Sequence, residues 1–159
     1  MSNRIFLDSS MLIEYHKGRQ LELLNELMFD IRFELYFSQT VVSEFLFHLL
    51  AIEGGKSPMS VKMSKQIPKI LEATAALDIF KPLSYLDDNR DILPTGVELM
   101  IKYNLLPNDA LILSICKQHG VGAVASHDSD FEAACAGENL ILLQNVADFE
   151  AFQAMIFGK

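Results

Sequence analysis

Short continuous apolar runs alternate along this chain with longer stretches in which apolar positions recur every three or four residues. The runs at 5–7, 35–37, 122–125 and 140–143 lack the in-out alternation of a half-exposed strand and read as strands of a buried parallel sheet. Helical spacing covers 10–17, 20–29, 40–53, 59–79, 90–104, 108–119 and 147–156. Helices outnumber strands, and strands separated by helices are the pattern of an α/β protein. Gly54-Gly55-Lys56-Ser57-Pro58 reads as a turn between two helices, and neither an internal repeat nor a domain boundary shows, so one domain over 1–159 is expected.

Composition supports a folded chain. Half of the 159 residues are hydrophobic, 21% are charged, and mean hydropathy is +0.22, which excludes a disordered chain. The longest apolar stretches, 110–116 and 140–143, fall short of the roughly 18 to 20 residues that a membrane span needs. Only three apolar residues follow Met1-Ser2-Asn3-Arg4 before Asp8, too few for a secretory signal, so the mature chain is expected to start here and to work in the cytoplasm. Cys116 and Cys135 lie in apolar surroundings without CxxC spacing, and are expected to be buried reduced thiols.

Charge narrows the picture differently. A net charge of −8 and a pI near 4.9 ordinarily disfavour a polyanionic partner. The charge is segregated, however. No acid falls between Glu53 and Glu72, where Lys56, Lys62, Lys65 and Lys69 lie, whereas 120–159 holds six acids against Lys159 alone. On one helix, Lys62, Lys65 and Lys69 would share a face at i, i+3 and i+7. That face is either a solvated one or a wall that tracks phosphates.

Several familiar chemistries are absent. Gly54-Gly55-Lys56-Ser57 lacks the glycine that a phosphate-binding P-loop places six residues before its lysine, where Leu50 stands, and it follows a helix rather than a strand. No GxGxxG, HExxH, GxSxG or EF-hand spacing occurs, and His16, His48, His119 and His127 are too scattered for a shared metal.

Carboxylates carry the remaining signal. Asp8 follows the first strand, and Asp128 and Asp130 follow the third; both places are carboxyl ends of strands, where parallel sheets bind ligands. Glu44 lies one turn inside the apolar helical segment 41–47, and Asp109 heads the apolar run 110–115. Each acid has a plainer explanation: Asp8 and Asp109 as helix caps or first-turn acids, Glu44 turned to solvent, Asp128 or Asp130 capping the helix that Phe131 enters. Four separate elements each presenting an acid against an apolar flank favour a hard divalent cation with oxygen ligands, such as Mg²⁺ or Mn²⁺.

Taken in order, Leu7-Asp8-Ser9-Ser10, Ser38 through Val42-Ser43-Glu44-Phe45, Leu106-Pro107-Asn108-Asp109-Ala110-Leu111-Ile112 and Ser126-His127-Asp128-Ser129-Asp130-Phe131 resemble the PIN-domain nucleases, in particular the toxins of VapBC-type toxin–antitoxin pairs. The resemblance implies a three-layer α/β/α fold around a parallel sheet, with Asp8, Glu44, Asp109 and Asp128 as catalytic metal ligands and Asp130 sharing or replacing the last role. It implies a metal-dependent endoribonuclease whose products carry 5′-phosphate and 3′-hydroxyl ends, with Mg²⁺ or Mn²⁺ as cofactor, RNA as substrate, an antitoxin as partner, and a homodimer without membrane attachment. Lys62, Lys65 and Lys69 would then bind substrate. Where the family often reads Asp-Thr-Asn, this chain has Asp8-Ser9-Ser10, and Ser126 stands in place of a frequent threonine; Ser9 and Ser126 keep hydroxyls that either serve only as caps or support the metal ligands or their water. An aspartyl phosphatase is excluded because it needs a second aspartate at Ser10. A catalytically silent PIN-like scaffold that binds RNA or protein is the alternative, and a divalent-dependent RNase assay separates the two.

Overall fold

The structure, a computed structural model, describes residues 2–158; Met1, the expected start, and Lys159, the base set against six acids, lie outside the described residues. Strands β1 (Arg4–Leu7), β2 (Glu34–Phe37), β3 (Ser84–Tyr85), β4 (Ala123–Ala125) and β5 (Ile141–Leu143) form one sheet in the order β3-β2-β1-β4-β5, with all pairings parallel. Ile5, Phe6 and Leu7 are fully buried, as are Ala123, Val124 and Ala125. Successive strand residues point to opposite faces, so both faces of the central pair are covered, which gives the expected three-layer arrangement.

The covering helices are α1 (Ser9–His16), α2 (Leu21–Phe29), α3 (Gln39–Gly54), α4 (Pro58–Met63), α5 (Ile67–Thr74), α6 (Ile92–Tyr103), α7 (Pro107–Gln118), α8 (Phe131–Gly137) and α9 (Val146–Phe157). A continuous apolar core joins β1, β2, β4 and β5 to α1, α2, α3, α7, α8 and α9. Among the described residues no helix is long and apolar enough to cross a membrane. Cys116 and Cys135 are free and buried, as expected, and burial pushes both thiols up, Cys135 to about 12.

The order of the strands decides where a site can form. From β1 the chain moves outward to β2 and β3, then returns across the sheet to β4 on the other side of β1. Connections therefore leave the carboxyl ends of β1 and β4 in opposite directions and open a crevice between them, the usual ligand position in such sheets.

Two expectations need correction. The helix read over 59–79 is instead α4, α5 and a 3₁₀ turn at Asp78–Phe80. Pro68 has no N–H to donate to the Ser64 carbonyl and is accommodated in the first turn of a new helix that starts at Ile67, the Ser64 hydroxyl donates back to the carbonyls of Ser60 and Val61, and Lys65 adopts a left-handed φ of 57°. Lys62, Lys65 and Lys69 thus sit on a helix, a turn and a second helix, and the shared face inferred from their spacing does not exist. The sheet also has a fifth strand, β3, beyond the four expected: its two residues are exposed, and only backbone pairing with Tyr36 and Phe37 defines it.

Candidate active site

Among the described residues, the buried polar side chains are Asp8, Ser9, Ser38, Ser114 and Ser126. Ser114 has an ordinary explanation, since its hydroxyl donates to the Ile92 carbonyl and ties α7 to α6. The other four collect at the carboxyl edge of the sheet. Asp8 and Ser9 follow β1, Ser126 follows β4, and Ser38 follows β2 at the height where continuing the β1–β2 register sets it beside Asp8. Burying polar groups without partners is costly, so such a collection needs a reason.

Asp8 is 4% exposed and is the N-cap of α1, as the plainer reading of this residue held. Capping does not exhaust its role. Its Oδ2 accepts from the Ser10 backbone N–H at 3.2 Å, from Ser10 Oγ at 2.6 Å and from Ser126 Oγ at 2.8 Å. The last bond crosses from β1 to β4 and orients the carboxylate at the crevice, where the Asp8 N–H also continues the strand pairing by donating to the Ala125 carbonyl. Ser10, not Ser9, is therefore the hydroxyl beside the first acid. Its position two residues after an N-cap aspartate is the signal that could have identified it, because that residue's N–H is the one an N-cap side chain reaches.

The loop after β4 is organised around the same contacts. Ser126 Oγ accepts from the Asp128 N–H at 3.0 Å, Ser10 Oγ accepts from the His127 N–H at 3.0 Å, and Asp128 Oδ1 accepts from the Asp130 N–H at 2.9 Å. Both Asp128 and Asp130 are exposed; Asp130 stands at the N-cap of α8 without a side-chain capping bond. On the other side, half-buried Glu44 on α3 accepts from Asn108 Nδ2 at 3.3 Å, which links α3 to the first turn of α7. Asn108 has no role in the sequence reading, although it stands in the quoted motif.

Half-buried Asp109 shows how the acids relate. Desolvation, followed by the charges of Asp8, Asp128, Glu44 and Asp130, pushes its carboxyl up to about 7. All five acids read from the sequence thus bear on one region, and Asp109 is the one whose carboxyl rises with it. Their carboxylates are not drawn tight: among the described residues no three His, Cys, Asp or Glu side chains stand close enough together to clasp an ion. The donor chemistry nevertheless fits a hard divalent cation, being all oxygen with the buried Ser38 Oγ left without a partner beside Asp8.

The lysines do not join this region. Gly54, at the last turn of α3, packs against the Val61 side chain so closely that a Cβ has no room, and α4 therefore docks at that end. Glu44 lies ten residues earlier, about 15 Å along the helix at 1.5 Å per residue.

Comparison with known proteins identifies the family and the fold. The family model for the PIN domain matches residues 5–137. The chain is 33% identical over 131 residues to ribonuclease VapC2 of Methanocaldococcus jannaschii, covering 82% of this chain and 88% of that protein. It is 30% identical over 141 residues to ribonuclease VapC6 of the same organism, covering 82% and 92%. Among solved structures, VapBC2 from Rickettsia felis, bound to a DNA fragment from its promoter, superposes with a TM-score of 0.59 at 15% identity, over 87% of this chain and 96% of that one. VapC20 of Mycobacterium tuberculosis, described as a sarcin–ricin-loop-cleaving toxin, gives 0.58 at 18% identity, over 82% and 94%.

Proposed function

The chain belongs to the PIN-domain family, and from that membership we infer that it is an endoribonuclease, the toxin of a toxin–antitoxin pair, that hydrolyses RNA with a divalent metal held by its carboxylates. The observation that supports this reading is that burial and the negative charges of Asp8, Asp128, Glu44 and Asp130 all bear on Asp109 and push its carboxyl up to about 7. Mg²⁺ or Mn²⁺ is the metal we propose, since both prefer oxygen ligands. An RNA substrate and reduced, buried thiols fit a cytoplasmic reaction within one PIN-like unit.

Asp8, Glu44 and Asp109 would hold the ion directly or through water, with Asp128 or Asp130 completing the set. When bound, the ion supplies a water of lowered pKa and offsets charge on the leaving oxygen. The chain's own residues set the conditions. Ser10 and Ser126 fix the Asp8 carboxylate by donating to one of its oxygens, leaving the other free for a ligand. Asn108 holds Glu44 from the α7 side. Asp109 must release its proton before it can serve as a ligand, so metal loading and deprotonation are one event. Metal-free, this acidic surface repels a phosphodiester; neutralised by the ion, it can accept one.

A defined panel of RNAs incubated with the purified chain and Mg²⁺, Mn²⁺ or chelator tests the reading. Divalent-dependent cleavage leaving 5′-phosphate and 3′-hydroxyl ends is expected. RNA binding without cleavage at any metal concentration would replace the enzyme with the silent scaffold.

A further inference from the structure

Beside the acid cluster, on the β4–β5 side, a cavity of about 380 Å³ is lined by Gln20, Glu22, Leu23, His127, Gln144, Asn145 and Val146. It adjoins the site through His127, whose neighbours in the chain are Ser126 and Asp128 and whose N–H donates to Ser10. We propose that this cavity is a nucleobase subsite that receives a guanine flanking the scissile phosphate; the proposal rests on the ribonuclease reading of the adjoining acids.

The lining excludes a phosphate. It contains no lysine or arginine. Although α2 and α9 both begin here, each carries an acid in its first turn, Glu22 and Asp148, which offsets the positive end of the helix. What the lining offers is a neutral, flat ligand's needs. Leu23 and Val146 supply apolar contact for a ring face, and three amides and a carboxylate supply an edge. The amides are available. Among the described residues no hydrogen bond occupies the side chain of Gln20 or Gln144, and Asn145 uses only Oδ1, accepting from the Asp148 N–H at 3.0 Å, so its NH₂ is free. The Asp148 carboxylate takes the N–H groups of Gln144 and Asn145 at 2.9 and 3.2 Å and fixes both residues at the cavity. His127 Nε2 is likewise buried without a partner.

Glu22 selects among the bases. A carboxylate accepts from two adjacent N–H groups, and guanine alone presents both a ring imino and an exocyclic amino hydrogen on one edge, while its O6 and N7 accept from amide NH₂ groups. Uracil presents one ring N–H between two carbonyls, so it gives a carboxylate a single hydrogen bond and sets two oxygens against it.

Heteronuclear NMR of the ¹⁵N-labelled chain in millimolar Mg²⁺, which offsets the neighbouring acids, tests this with 5′-GMP, AMP, CMP, UMP and ribose 5-phosphate as probes, none of which has a phosphodiester to cleave. GMP should move the side-chain NH₂ resonances of Gln20, Gln144 and Asn145, with a Kd about fivefold or more below those of the other three nucleotides, and Glu22→Gln should erase that preference. The proposal is overturned if ribose 5-phosphate moves these resonances as GMP does, if all four nucleotides bind alike, or if none reaches them. The readout does not depend on cleavage. A chain that takes GMP here but cleaves no RNA retires the nuclease reading alone; one that cleaves RNA yet ignores GMP retires this proposal alone.

Discussion

Replacing Asp109 by asparagine should stabilise the metal-free protein at pH 8 and leave it unchanged at pH 4, while abolishing RNA cleavage. The folded chain holds the Asp109 proton up to about pH 7, whereas the unfolded chain releases it near 3.8. Between those values the folded state binds the extra proton, so stability falls as pH rises through that window and stays low above it. A gap of about three pH units corresponds to at most about 4 kcal/mol. Asp109 is only half-buried, and solvent and rearranging neighbours reduce this to about 2 kcal/mol. Asparagine keeps the shape without the charge, and loses only a few tenths of a kcal/mol of favourable interaction with the start of α7. For a domain of this size Tm moves by about 2–4 °C per kcal/mol, so the variant should melt about 4–8 °C above the parent at pH 8 in chelator. Thermal scans of both proteins from pH 4 to 8.5 measure the gap. Parallel curves across the whole range would show that Asp109 does not stand among other negative charges, and the metal-site argument would fall with it.

Ser126→Ala removes the donor to Asp8 Oδ2 and the acceptor of the Asp128 N–H; calorimetric titration with Mn²⁺ should show affinity reduced about 10- to 100-fold, and an unchanged Kd would reduce the serine to packing. Glu138, with a side chain 9% exposed, accepts from Lys102 and Tyr103 on α6 and from Lys117 on α7, and this pairing holds its carboxyl down at about 2. Glu138→Gln should therefore cost about 2 kcal/mol in urea unfolding at pH 7, and the difference should vanish as pH falls from about 4.5 toward 2, where the parent's carboxylate is itself protonated. Charge reversal at Lys62 or Lys69 should change the salt slope of RNA binding by less than the 0.7 expected per single-strand phosphate contact, since these lysines sit at the far end of α3 from Glu44. A larger change would return them to the substrate path.

The parts legible in the sequence are those where local chemistry and fold agree. Continuous apolar runs marked four strands because a parallel sheet is buried on both faces, and the acids were visible because each broke an apolar flank. β3 left no mark, since Ser84 and Tyr85 are exposed and owe their strand to a neighbour's backbone. The lysine spacing defines one face only if a single helix runs through Lys65 and Pro68, and the left-handed Lys65 and the new helix start at Ile67 interrupt it. Ser10 stands where the family often has asparagine, and its hydroxyl makes the shortest contact to Asp8. The bonds among Ser10, Ser126 and His127 span more than a hundred residues, and only the β1–β4 pairing brings them together.

The claim that these carboxylates share a divalent metal is met most directly by anomalous diffraction from a crystal of the chain equilibrated with millimolar Mn²⁺. The account predicts a peak in the crevice between the ends of β1 and β4, about 2.0–2.3 Å from carboxylate oxygens of Asp8 and Asp109 and reached directly or through water by Glu44 and Asp128. A saturated crystal with no peak there, or with manganese bound only elsewhere, would contradict it.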